Sequence, residues 1–252
     1  MPVLSTVGAA SLRAFGAFGL KGSAASFIAA TGGSVTTSGN YKYHTFTSSD
    51  TFSISAFPSG KYVDFLLVGG GGGGGVAANG TGGGGGGVVI KTSETLSVGS
   101  YSVVIGAGGD SSVYASGEDT EFAGCIALGG GGGGANTNGK SGGSGGGADI
   151  SQNPYSAGAG LQPTSSCGGY GNNGATSIYG GGGGGAGGAA SGTTGGAGIS
   201  GSPLSSNLYG AGGNGYVSGA SVSANSGGGG SRSSTNVYNG ADGIVIIRYL
   251  YQ

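Results

Sequence analysis

The chain has 252 residues, 70 of them glycine and only 5 proline, with 8 Lys+Arg against 9 Asp+Glu. Collagen is excluded, because it needs glycine at every third position and abundant proline. A charged content of 7% beside 36% hydrophobic residues excludes a charge-solvated linker, and cations scattered singly with no Arg-Gly-Gly box argue against a nucleic-acid partner.

Residues 1–31 are Ala-rich and carry no poly-glycine. Phe15, Phe18 and Phe27 recur at spacings compatible with a helical face, but Gly8, Gly16, Gly19 and Gly22 weaken any isolated helix. The segment reads either as a piece that orders against a partner or as a disordered tail. Residues 34–57 alternate aromatic and β-branched residues with small polar ones. With a turn signal at 48–50, they predict a hairpin. Residues 62–68, YVDFLLV, form an apolar strand that runs straight into glycine. Residues 88–109 predict a further hairpin or strand pair. Residues 124–128 and 177–179 again lead into glycine, and 243–251, GIVIIRYLY, close the chain as its strongest strand signal. A strand feeding a glycine run is thus a repeated unit of irregular period.

Four pure glycine runs accompany these strands, three of them directly after one. They are bounded by Gly69 and Gly75, Gly82 and Gly87, Gly129 and Gly134, and Gly180 and Gly185; a shorter run covers 227–230. Glycine loses more backbone freedom on folding than any other residue. A flexible linker is one outcome. Linkers, however, do not recur after apolar strands at matched lengths. The other outcome is a set of polyproline II-type helices, three residues per turn, packed side by side. Each net backbone hydrogen bond contributes only ~1 kcal/mol, so order requires that most groups be paired. The expectation is a scaffold of several glycine strands. The insertions between runs, 135–173, 199–226 and 231–242, are rich in Tyr, Ser and Asn, a composition suited to adaptable recognition.

Chemistry is sparse. Cys125 and Cys167 make no disulfide framework and no metal spacing; idle thiols are expected rather than one disulfide. His44 lies in a predicted strand without a nucleophile motif or partner set. Glu118, Asp119 and Glu121 match neither a calcium loop nor a glycosidase pair, and read as a solvated turn. No Gly-Lys-Ser/Thr phosphate loop follows a glycine run at the right spacing. No enzyme activity, cofactor or metal is therefore expected. No apolar run reaches the ~20 residues of a membrane helix. Arg13 and Lys21 interrupt what would be the apolar core of a signal peptide, so synthesis in a cytoplasm is expected.

The order of elements resembles a family. The residues that carry the likeness are SGNYKYHTFTSSDTFSI at 38–54, DFLLVGGGGGGG at 64–75, GGVVIKTSETLSVGSYSVVIGAGG at 86–109 and ADGIVIIRY at 241–249. The pattern is similar to the glycine-rich domain of phage tail fibres and related virion proteins, and in layout to T-even-type tail-fibre-tip adhesins. The resemblance implies a mainly β fold with polyglycine II helices: short strands and hairpins beside a packed polyglycine II sandwich, with little or no α-helix outside the N-terminal segment. It implies residues 1–31 as a virion-docking segment and 32–252 as the glycine-rich domain. It implies a virion location, on the tail or another external appendage, with other tail or fibre proteins as partners. The loops would then bind a host surface protein or glycan through Tyr155, Tyr170, Asn172, Asn207, Tyr209, Tyr216 and Tyr238. A purely structural virion protein, for example a homotrimeric shaft, is the alternative.

Overall fold

The protein is described from a computed structural model covering residues 26–76, 79–216, 222–232 and 238–252. The strands in chain order are β1 (Ala29–Thr31), β2 (Ser34–Ser38), β3 (Tyr41–Phe46), β4 (Asp50–Ala56), β5 (Val63–Val68), β6 (Val88–Glu94), β7 (Gly99–Val104), β8 (Thr120–Phe122) and β9 (Cys125–Ala127). Four two-residue strands follow, β10 (Ala148–Asp149), β11 (Thr176–Ser177), β12 (Ile199–Ser200) and β13 (Leu208–Tyr209), and then β14 (Ile244–Leu250). The fold is mainly β, with helix confined among the described residues to two three-residue 3-10 turns. The virion-docking role expected for 1–31 falls largely outside the described residues. Its last residues, β1, pair with β4 and belong to the β-domain.

Two five-stranded sheets face each other, ordered β1-β4-β7-β8-β9 and β2-β3-β14-β5-β6. Phe46, Phe52, Phe65, Phe122, Val245 and Ile247 fill the space between them. The Phe122 ring meets Phe65 and Phe52 edge-on, at centroid distances of 5.3 and 5.9 Å, the arrangement that ring quadrupoles favour. The second sheet is covered on its outer face as well, where Leu66, Val68, Ile244 and Ile246 pack on Ala186, Leu204 and Tyr209. This double burial explains why β5 and β14 read as continuous apolar runs rather than alternating ones.

Two sequence expectations change here. Residues 34–57 do not fold as a hairpin about 48–50. The hairpin is β2–β3, and β4 crosses to the other sheet. Likewise β6 and β7 do not pair; β6 joins β5, and β7 lies between β4 and β8. In both cases the apolar faces pack across the sandwich instead of along one sheet, as when Phe46 meets Phe52 at 6.3 Å.

The glycine runs continue from one end of the sandwich. The β5–β6 ladder pairs Val68 with Val88. Beyond it, Gly69, Gly72 and Gly75 donate to the carbonyls of Gly87, Gly84 and Thr81, so the register holds while the spacing changes from two residues to three. The residues between turn elsewhere. Gly70 and Gly73 donate to Glu118 and Ala115, and Gly71 and Gly74 to Ala241 and Tyr238. A three-residue repeat matches the three residues per turn of a polyproline II-type helix.

Run 82–87 lies at the centre of the array. It donates in turn to 181 and 184, to 227 and 230, and to 128 and 131. It accepts from 69 and 72, from 144 and 147, and from 213. Every residue of the run is buried. A Cβ at Gly83, Gly84 or Gly85 would lie under 3.0 Å from the carbonyl of Gly72, Ser144 or Gly210, closer than any side chain permits. Glycine is required there by backbone approach.

Hydrogen-bond registers also order the molecule along its length. β5, β7 and β9 run into the array, and β6, β8 and β14 emerge from it. The opposite end of the sandwich, the base, holds the start of β1, the β2–β3 turn, the β6–β7 connection and Tyr251. The far end of the array is the tip.

Candidate recognition surface

The tip is built from the turns that reverse the glycine strands, 110–114, 135–139, 149–157, 176–180 and 190–194, and Val76, Asn79, Tyr216 and Tyr238 lie at the same end. Amide side chains tie these turns together. The Asn79 Nδ2 donates to Ser151 Oγ at 3.1 Å and to the Ile178 carbonyl at 3.2 Å. Asn239 Oδ1 accepts from the Ser111 N–H and hydroxyl at 2.9 and 2.8 Å. Asn138 Oδ1 accepts from the Ser156 N–H at 2.9 Å, and Asn214 Oδ1 from the Gly195 N–H at 2.8 Å. Such local side-chain bonds satisfy turn backbone that no neighbouring strand can reach. Carboxylates at the tip are also engaged: Asp149 accepts from the Ser151 N–H and hydroxyl, and Asp110 from the Ser112 N–H.

Among the polar side chains exposed on this frame, such as Asn136, Gln152 and Asn153, stand apolar and aromatic ones: Val76, Val113, Ile178, Tyr179 and Tyr216. The Asn79 bonds bring Val76 and the Ile178–Tyr179 pair to the same corner of the tip. Sequence reading of the insertions passed over Val76, Ile178 and Tyr179, because they abut the glycine runs. The signal available was an apolar residue at the end of a run, where the array forces a reversal.

The seven residues proposed from sequence are dispersed. Tyr155, Tyr216 and Tyr238 are at the tip, the first and last half-buried. Tyr170 is exposed but lies beside the sandwich, where its backbone bridges Val88. Asn207 is exposed on the flanking β12–β13 hairpin. Asn172 is inside the array, its Nδ2 donating to the carbonyls of Gly185 and Ala186 at 2.8 and 3.2 Å. Tyr209 is corrected outright. It is 3% exposed, packs under the second sheet and hydrogen-bonds Ser205 Oγ at 3.0 Å, so it is a core residue with no face for a partner.

Two further expectations are revised. Cys125 and Cys167 form a disulfide. It fastens the 162–170 loop to β9, where Gln162 also accepts from the Leu128 N–H at 2.6 Å and donates to the Ile126 carbonyl at 3.1 Å. The acidic cluster is not simply a solvated turn: Asp119 accepts from the Gly129 N–H at 2.7 Å and so caps a glycine run. His44 is wholly buried. Its Nδ1 lies 2.7 Å from the Gly32 carbonyl and must donate to it, which leaves Nε2 to accept from the Tyr249 hydroxyl at 3.0 Å. Burial holds its pKa below the ordinary histidine value. Among the described residues no group of three or more His, Cys, Asp or Glu side chains could hold a metal ion, and no helix is long and apolar enough to cross a membrane.

The profile of a glycine-rich domain family matches residues 46–250. The chain belongs to this glycine-rich domain family. The match takes in every strand from β4 to β14 together with the whole array, so the strands and the glycine runs form one family unit. Comparison with curated proteins finds no match.

Proposed function

We propose that this glycine-rich domain protein is a virion appendage adhesin of a phage, carried on a tail fibre or tail tip, which binds a host surface receptor. The observation that carries the proposal is the separation of ends. The chain enters the sandwich at the base, while the reversals of the glycine strands gather at the tip, one array length away. A scaffold without side chains cannot itself discriminate a partner. What it does is hold apolar and aromatic residues outward at fixed positions, at low entropic cost on binding. Exposed residues of this kind on otherwise polar turns mark interaction sites. The proposed role is non-enzymatic and makes no use of the one histidine, whose two ring nitrogens are engaged inside the core.

The test uses purified protein and cells of the bacterium that the phage infects. Wild-type protein should bind the cells and compete with phage adsorption. Combined alanine substitution of Ile178, Tyr179 and Tyr216 should abolish both effects with an unchanged melting temperature. Substituting Tyr170 and Asn207 on the sandwich flank should change neither. Full competition by the tip variant would remove the receptor-binding role and leave the purely structural alternative.

A further inference from the structure

The base has a chemistry different from the tip. Arg248 and Asp64 form the one salt bridge among the described residues, at 2.8 Å, and Arg248 also lies over the Tyr41 ring at 4.4 Å. This pair floors a cleft walled by Tyr41, Lys61, Tyr62, Ser93 and Leu250. At this end of the sandwich two cations rest on rings instead of on carboxylates, Lys61 on the wall of the cleft and Lys42 on the opposite face of β3 from Tyr41. The Lys61 Nζ is 4.8 Å from the Phe27 centroid, and the Lys42 Nζ is 5.3 Å from that of Tyr251. Tyr62 and Leu250 are 52% and 40% exposed at the rim.

Charge is segregated along the molecule. Lys42, Lys61, Lys91 and Arg248 gather on the base half of the sandwich, against Asp64 and Glu94. Asp50, Glu118, Asp119, Glu121 and Asp242 ring the junction with the array, where no cation among the described residues accompanies them. In a chain with net charge −1, the cations at the base are therefore concentrated on one end. A lysine held over an aromatic ring keeps its charge and most of its hydrogen-bonding capacity, while its position is fixed. An anion can then be bound without ordering a free lysine first.

We infer that the base is a docking surface for an acidic peptide segment of a partner protein, one that places carboxylates on Lys42 and Lys61 and an apolar side chain in the cleft between Tyr62 and Leu250. Charge complementarity argues for this occupant. A basic segment would meet two lysines, and a neutral one would leave them unpaired under the interface. The inference does not depend on what the tip binds.

The probe is a short fluorescein-labelled peptide of alternating glutamate and leucine, titrated with the full-length protein and read by anisotropy. Binding should weaken as salt is raised, since the exposed charges are screened. The K42E/K61E double variant should bind at least about tenfold more weakly, because it juxtaposes like charges. K140E/R232E, which reverses tip cations, should bind as wild type does. K61E alone should show the same direction of change if the double variant melts early. The proposal is overturned if wild type fails to bind, if an alternating lysine–leucine peptide binds equally well, or if K140E/R232E loses as much affinity as the base variant. Receptor binding by the tip variants is read in a separate assay, so failure of one proposal leaves the other standing.

Discussion

At the scale of single residues, two glycines of the array should respond oppositely to alanine. At Gly84 the added methyl would meet the Ser144 carbonyl under 3.0 Å, and its neighbours on all sides are backbone. Nothing there can rotate away, so Gly84→Ala should destabilise by more than ~2 kcal/mol. At Gly188 the nearest atom is 3.9 Å away and the backbone is not left-handed. Gly188→Ala should therefore be neutral or stabilising by up to ~1 kcal/mol, because it restricts the unfolded chain. Denaturant midpoints for the two variants check this directly; equal losses would mean that the array relaxes around side chains. His44 gives a prediction with a sign. Its folded pKa is lowered by burial, so the unfolded state takes the proton first as pH falls. Its contribution is complete above the unfolded value of about 6.5 and is lost as pH falls below it toward the folded value. The urea midpoint should fall between pH 7.5 and 5.5, and His44→Gln should flatten that slope. An unchanged slope in the variant would assign the effect to other groups.

At the scale of elements, the 162–170 loop is held twice, by the disulfide to β9 and by the hydrogen bonds of Gln162. The crosslink spans a sequence separation of 42 residues, for which chain entropy gives on the order of 4 kcal/mol. Cys125→Ser with Cys167→Ser should therefore lower the melting temperature clearly yet leave a folded protein, with Gln162 keeping the loop docked. Adding Gln162→Ala should release the 162–170 loop and open it to proteases. A loop that stays protected in the triple variant would deny both fastenings their role. Elements such as these show what sequence can reveal. β5 and β14 are legible because burial on two faces leaves an unbroken apolar run. The ordered glycine runs are legible because strands lead into them. Pairing is not: alternation in 41–46 and 50–56 reveals which face is buried, not which strand lies alongside, and so β4 is misassigned to a hairpin. The same limit hides the disulfide, since the fold alone brings Cys125 and Cys167 together. It also hides the place of Tyr209, whose Tyr-Gly setting matches a recognition loop although an apolar sheet face covers it. The tip is legible only as composition. Asn79 is distant in sequence from Ile178 and Tyr179, and the array that joins them has no side-chain pattern to read.

At the scale of the whole molecule, the array should be the most cooperative part of the structure. In a β-hairpin, one departing strand frees a whole row of amides. In run 82–87, successive amides bond six different acceptors on three separate segments: 181 and 184, 227 and 230, 128 and 131. The loss of any one segment frees only every third amide, and leaves the others fixed on the remaining two. Local opening therefore gains little entropy while sacrificing burial of the entire run. Opening energies in a protein range from near zero at frayed edges to the global value in its core. The amides of 82–87 should exchange with solvent only through global unfolding, with protection equal to that of Ile246 and Ile247 in β14. β2, exposed along its whole length at a sheet edge, should exchange by local opening, faster by several orders of magnitude. Native-state hydrogen exchange at low denaturant concentrations measures both. If 82–87 exchanges through a smaller opening than β14 does, the array is a separable unit docked on the sandwich. The tip would then move relative to the base instead of being rigidly coupled to it.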